Sequence, residues 1–149
     1  MPKIDLDAIE PTNRTGYPPP LDAPVRGRWN RRLGPASGLT DMAASHCTLE
    51  PGGWSSQRHV HESDDELLVM LEGEAVLIED EGRTLLRAGD VAAFPKAGTA
   101  HHLVNESDRP CAFVAISPAA YTGDTRYPDV DLHLDEAGNR YLHKDGRAY

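Results

Sequence analysis

Gly53-Trp54-Ser55-Ser56-Gln57-Arg58-His59-Val60-His61-Glu62-Ser63-Asp64-Asp65-Glu66-Leu67-Leu68-Val69-Met70-Leu71-Glu72-Gly73 carries the densest chemistry in the chain. His59 and His61 are two residues apart, so on a strand both side chains point to the same face. Imidazole is a ligand suited to zinc, copper, iron and nickel. Glu66 follows His61 by five residues, an offset that a straight strand would send to the opposite face. The intervening polar run Glu62-Ser63-Asp64-Asp65 can reset the direction as a turn. If it does, Glu66 opens a new strand whose inward set is Glu66, Leu68 and Met70. A carboxylate among apolar side chains is costly unless a cation or polar partner satisfies it. Gln57 lies two residues before His59 and can share its face, and Trp54 is near enough in sequence to wall a pocket.

A second cluster runs Gly89-(five residues)-Pro95-Lys96-Ala97-Gly98-Thr99-Ala100-His101-His102-Leu103-Val104-Asn105. Adjacent histidines on a strand face opposite ways, so one points in and the other out. Around both clusters, from about residue 40 to 118, short apolar or alternating runs are separated by glycine-bearing turns. Many short strands at 8–12-residue spacing predict an all-β sandwich or barrel. Glu81-Gly82, between Val76-Leu77-Ile78 and Leu85-Leu86, is a hairpin signal.

Residues 1–39 read differently. Pro11, Pro18, Pro19, Pro20, Pro24 and Pro35 interrupt them, and proline breaks both ladders and helices, so an irregular arm is expected. The arm carries Arg26, Arg28, Arg31 and Arg32. These can attract an anionic substrate at a barrel mouth or pair with acidic surface of this or a second chain; the abundance of acid favours the second. Residues 119–149 turn polar yet hold Tyr121, Tyr127, Tyr141 and Tyr149. Disordered tails are poor in aromatics, so this extension is expected to pack on the barrel or on a partner.

The chain has 149 residues and a formal charge of −9, enough length for one domain with a sizeable core. That charge argues against nucleic acid or an anionic membrane as main partner. The longest apolar run, Leu67 to Leu71, is far short of a membrane span, and no leader resembling a signal peptide opens the sequence. Cys47 and Cys111 cannot form a disulfide-dense framework. A cytoplasmic protein with buried structural thiols is expected.

The two clusters together resemble the motifs of the cupin superfamily: a glycine, His-x-His, a glutamate and a closing glycine, then a glycine, a proline–glycine turn, a histidine and an asparagine. Every position of the first is met with unbroken spacing. The second departs in having two residues, not one, between Pro95 and Gly98. The resemblance implies a double-stranded β-helix (jelly-roll) barrel with a divalent metal in its mouth, held by His59, His61, Glu66 and His101. Iron, manganese, zinc, nickel and copper all suit that set. Three imidazoles and one carboxylate leave two octahedral positions open for a chelating substrate or O₂.

The implied function is a metal-dependent enzyme on a small polar or anionic molecule, by Lewis-acid isomerase or lyase chemistry or non-haem dioxygenase chemistry. The alternative is a non-catalytic ligand-binding or sensory module. A homodimer is also expected, because exposed barrel edges need covering. The tail motif Tyr127-Pro128-Asp129 with His143-Lys144-Asp145-Gly146 is similar to the ending of small bacterial single-domain cupins, some labelled sugar-phosphate isomerases. Gln57, Trp54, Met70 and His102 are candidate pocket residues. Asn105 is expected to tie down a turn, Glu62, Asp64 and Asp65 to form a solvated acidic turn, and His46, His133 and His143 to carry no function.

Overall fold

The computed structural model describes residues 3–120, 122–135 and 139–149. It is built almost wholly of antiparallel strands, and the all-β double-stranded β-helix architecture is what forms. Strands β1 (Arg28–Arg32), β2 (Met42–Leu49), β4 (Glu66–Glu72), β7 (Val91–Phe94) and β9 (Cys111–Pro118) make a five-stranded sheet in the order β1-β2-β9-β4-β7. Strands β5 (Glu74–Glu79), β6 (Gly82–Arg87) and β8 (His101–Val104) make a second sheet, ordered β6-β5-β8. Strands β3 (Val60–His61), β10 (Thr125–Tyr127), β11 (Leu132–Asp135) and β12 (Arg140–Leu142) make a third, ordered β12-β11-β10-β3.

The core lies between the first two sheets. Leu49, Leu68, Met70, Leu77, Leu86, Leu103 and Phe113 are all buried in one cluster drawn from both. Period-2 alternation sets this up: along β4, Leu68 and Met70 are buried, while Leu67 and Leu71 are 37% and 43% exposed. The predicted hairpin forms, with Glu79 opposite Gly82 across Asp80-Glu81. Gly73, between β4 and β5, has φ +67°, and an added Cβ would fall 2.9 Å from Cys111 Cβ, so this turn requires glycine.

The arm is less irregular than its prolines imply. Residues 28–32 pair along their whole length with β2, from Arg28↔Leu49 to Arg32↔Ser45. A short helix, α1 (Leu33–Ser37), follows and ends at left-handed Gly38. No proline falls inside β1, so proline disrupts only what flanks it. The tail does pack on the barrel: β10 pairs with β3, Thr125 opposite His61. Tyr17 from the arm meets Tyr127 and Tyr141 from the tail, with ring centroids 5.7 and 5.4 Å away. Tyr121 and Glu136 lie outside the described residues.

Asn105 behaves as expected. It is fully buried, its Nδ2 donates to Leu49 O and Arg109 O, and its Oδ1 accepts from Ser107. The acidic turn does not. Asp64 is 5% exposed and accepts from the Thr122 amide and hydroxyl, while Asp65 accepts from the Lys96 amide. These carboxylates fasten loops to each other, and Glu62 pairs with Arg126. Among the described residues no helix is long and apolar enough to cross a membrane.

Candidate metal centre

The polar run after His61 does turn the chain, and Glu66 starts β4 facing inward beside Leu68. A bridge between His59 and His101, with both main-chain hydrogen bonds made, joins β8 to the segment entering β3. The topology thus brings His59, His61, Glu66 and His101 to one wall of one cavity.

The ring nitrogens converge. His59 Nε2 and His61 Nε2 are 3.2 Å apart. Glu66 Oε2 lies 3.6 Å from His61 Nε2, 3.6 Å from His101 Nε2 and 4.0 Å from His59 Nε2. Donors about 2.1 Å from a shared cation stand roughly 3.0 Å apart at right angles and about 4.2 Å apart when opposite. The spacings among His59, His61 and Glu66, and from Glu66 to His101, fall in that range, while His101 stands outside the tighter group of three. His59, His61 and Glu66 form a compact candidate metal-holding group. His101 Nε2 is buried and has no hydrogen-bond partner among the described residues, the condition of a ligand atom awaiting a cation.

The opposite ring nitrogens are already engaged. His59 Nδ1 donates to Gln57 O at 2.9 Å, His101 Nδ1 to Thr99 O at 3.3 Å, and His61 Nδ1 bonds Thr125 Oγ1 at 3.0 Å. A proton held on Nδ1 leaves a lone pair on Nε2, as metal ligation demands. The His101 ring is further fixed by stacking on Phe94, centroids 3.6 Å apart and planes 5° apart. Burial, reinforced by the neighbouring His101 and His61, pulls His59 down to about 3, so it is neutral at physiological pH. Burial pushes the Glu66 carboxyl up, but the contacts from His101 and His61 outweigh it and hold it below the usual carboxylate range. A neutral His59 imidazole beside an anionic Glu66 carboxylate suits a divalent cation.

The cavity has a volume of about 540 Å³, within the range of small-molecule sites. Beyond the cluster its wall includes Arg28, Asn30, Arg32, Tyr17 and Tyr127. The arginine group therefore divides. Arg28 and Arg32 line the cavity, whereas Arg26 pairs with Asp22 and Arg31 donates to Ile9 O. The preference for acidic-surface pairing holds for Arg26 alone.

None of the four candidate pocket residues lines this cavity. Gln57 turns its side chain to Leu21 O and serves the site through its carbonyl. Trp54 packs edge-on against His102, 4.7 Å between centroids, and His102 Nδ1 bonds Ser56 O on the far side of β8. Met70 does face inward, but it is 1% exposed in the core rather than at the cavity. Thr125, Tyr17 and Tyr127 went unnoticed as site residues, because nothing local in the sequence places arm or tail beside the histidines. Burial raises the Cys47 thiol to about 12 and the Cys111 thiol to about 11, so neither is an activated nucleophile.

A small antiparallel barrel whose mouth gathers three histidines and a glutamate from two spaced motifs is the cupin architecture, and this chain belongs to the cupin superfamily. The cupin domain model (Cupin_2) matches residues 45–117. A structure from Silicibacter pomeroyi, described as a sugar phosphate isomerase from the cupin superfamily, is 38% identical over 99% of this chain and 96% of that one, with a TM-score of 0.92. An Acidithiobacillus ferrooxidans structure, provisionally assigned the same activity, is 25% identical over 77% of this chain and 74% of that one, TM-score 0.72. The polyketide cyclase RemF from Streptomyces resistomycificus shares the fold at 19% identity, with 87% of each chain covered and a TM-score of 0.73. No curated protein sequence matches the chain.

Proposed function

We propose that this cupin is a metal-dependent enzyme acting on a small, polar, anionic molecule, with isomerisation of a phosphorylated sugar as the leading reaction. The observation that carries it is the convergence of His59, His61, His101 and Glu66 on a cavity large enough for such a molecule. The Silicibacter pomeroyi relative supports the reaction class by its description. The four residues would hold iron, manganese, zinc, nickel or copper. When bound, that ion would polarise substrate oxygens as a Lewis acid.

The chain's own groups define the remaining work. The Gln57 and Thr99 carbonyls hold the Nδ1 protons of His59 and His101 away from the cavity, and the Thr125 hydroxyl bonds His61 Nδ1. Burial raises the Tyr17 phenol to about 12 and Tyr127 well above its ordinary value, so both remain protonated donors at neutral pH. Among the described residues the cavity wall holds no carboxylate besides Glu66 and no imidazole besides His59, His61 and His101. The base for a proton-transfer isomerisation therefore comes from the donor set, where Glu66 is the one carboxylate.

The test is elemental analysis of protein purified without added metal or nickel resin, beside His61→Ala. About one transition-metal ion per chain in the wild type and almost none in the variant is expected; near-zero metal in both sinks the proposal. Incorporation of solvent deuterium into aldose or ketose phosphates then reads isomerisation. Iron with oxygen consumption would move the assignment to dioxygenase chemistry, and ligand binding without turnover to a sensory module. The proposal includes a cytoplasmic setting, in keeping with two free buried thiols. It also includes a homodimer through the outer face of the five-stranded sheet, where Leu67, Leu71 and Val91 are exposed. Light scattering at micromolar concentration tests that; a monomeric mass would refute it.

A further inference from the structure

We propose that Arg28, Asn30 and Arg32, the inward face of β1, form the oxyanion-recognition wall of the cavity, so that the ligand carries a phosphate or carboxylate group. The inference rests on the proposed use of this same cavity. It concerns residues outside the segment matched by the cupin domain model, which begins at residue 45.

Strand parity supplies the first support. Arg28, Asn30 and Arg32 alternate with Trp29 and Arg31, and all three, but neither intervening residue, line the cavity. Their partners across β2 are Leu49, Cys47 and Ser45, of which Cys47 and Ser45 also face it. Three consecutive inward positions of one strand are thus polar, two of them cationic, where an ordinary barrel strand would present apolar side chains.

Charge supplies the second. Seven arginines of this chain form ion pairs with carboxylates: Arg26, Arg58, Arg83, Arg87, Arg126, Arg140 and Arg147. Arg28 and Arg32, like Arg14, Arg31 and Arg109, form none among the described residues, and of these five only Arg28 and Arg32 line the cavity. Among the described residues the single carboxylate of the cavity wall is Glu66, engaged with the imidazoles. Two guanidinium charges against one carboxylate leave the cavity cationic within an acidic protein, a field that concentrates small anions.

Hydrogen bonding supplies the third. Arg28 is anchored by Nη1, which donates to Ser55 O, next to the Ser56 hydroxyl that bonds His59 Nδ1. Its Nε is buried and has no acceptor among the described residues. An unsatisfied buried donor is costly, and an oxyanion engaging the guanidinium removes that cost. Planar guanidinium matches phosphate and carboxylate equally well. Arg32 is exposed, which places it to meet the ligand first.

The experiment is calorimetric titration of the full chain with inorganic phosphate, with malonate and with glycerol as the neutral control. It compares the wild type with Arg28→Gln, Arg32→Gln, Arg28→Lys and Arg26→Gln. It is repeated in His61→Ala, where anion binding at a metal is absent. Saturable one-to-one binding of phosphate or malonate, with none of glycerol, is expected. Arg28→Gln weakens it at least tenfold, Arg32→Gln several-fold, Arg28→Lys less than Arg28→Gln, and Arg26→Gln not at all. The tighter of the two anions names the ligand's charged group. Absence of anion binding by the wild type, or equal affinity in the Arg28 and Arg32 variants, overturns the proposal. Should Arg28→Gln not fold, Arg32→Gln and Arg28→Lys decide it. Arginine-dependent phosphate binding by a chain that holds no metal would defeat the enzyme assignment alone. A metal-loaded chain whose phosphate affinity ignores both arginines would defeat this inference alone.

Discussion

Among the described residues, histidines line a cavity at the barrel mouth and another beside the tail sheet, and the two differ in where the ring nitrogens point. At the barrel mouth, the Nε2 atoms of His59, His61 and His101 gather around Glu66, and each Nδ1 is tied to an oxygen behind it. The tail sheet borders a second cavity, of about 690 Å³, lined by His133 and His143 with Arg126 and Lys144. There each imidazole has its own aspartate: His133 Nε2 is 3.1 Å from Asp124, and His143 Nδ1 is 2.8 Å from Asp131 with its ring stacked on Tyr149. Histidines separately paired with carboxylates are fastenings. Histidines whose Nε2 atoms converge on one carboxylate form a candidate ligand set.

The sharpest way to break that distinction is substitution at both places. Glu66→Gln removes the only anionic donor among the four residues and is expected to reduce bound metal from about one ion per chain to almost none. The double variant His133→Ala/His143→Ala is expected to leave metal content unchanged. Elemental analysis of both checks this; metal retained in Glu66→Gln and lost in the tail variant would mean the tail, not the mouth, holds the ion.

Thr125→Val is a finer cut. It removes the oxygen behind His61 Nδ1 while nearly conserving shape. Losing such an outer partner typically lowers metal affinity by about 10- to 100-fold. Competition against a chelator of known affinity is the measurement; an unchanged constant would show that the β3–β10 pairing alone orients His61. His101 Nδ1 meets a main-chain carbonyl and His59 Nδ1 meets both a carbonyl and the Ser56 hydroxyl, whereas the Thr125 hydroxyl meets His61 Nδ1 and so isolates side-chain chemistry most cleanly.

The difference between the two regions also explains what the sequence disclosed. The four candidate donors were legible because they sit in two short motifs whose spacing survives folding: His59 and His61 share a face by parity, and Glu66 needed only a polar turn to rejoin them. Gln57 has the same parity as His59, but the regular strand begins only at Val60, so alternation does not reach it. Met70 obeyed parity and still missed the cavity, because four residues along β4 carry it down into the core. Arg28 and Arg32 depended on the pairing of β1 with β2, and Thr125 on the pairing of β10 with β3. Those long-range registers join segments whose local texture, proline-rich or polar, did not announce strands.

The smallest expected effect comes from how the tail is held. Arg58, just before His59, bonds both oxygens of Asp129, at 2.7 and 2.6 Å, and also meets Asp80. The guanidinium holds the Asp129 carboxyl below its ordinary value. A depressed folded-state pKa stabilises fully above the unfolded value of about 3.9, and that contribution is lost as pH falls through the folded value. The Asp129 side chain is 54% exposed, so solvent and salt screen the pair and roughly 0.2–1 kcal/mol is expected. Asp129→Asn should therefore lower the melting temperature at pH 7 by no more than about 4 °C. The gap to the wild type should shrink in high salt and close at a pH below both values, where the wild-type carboxyl is neutral as well. Thermal melts of the two chelator-treated proteins across pH and salt provide the measurement. A gap that persists in acid would mean Asp129 holds the tail by shape and neutral hydrogen bonding rather than by charge, erasing this contrast with the buried, hydrogen-bonded mouth.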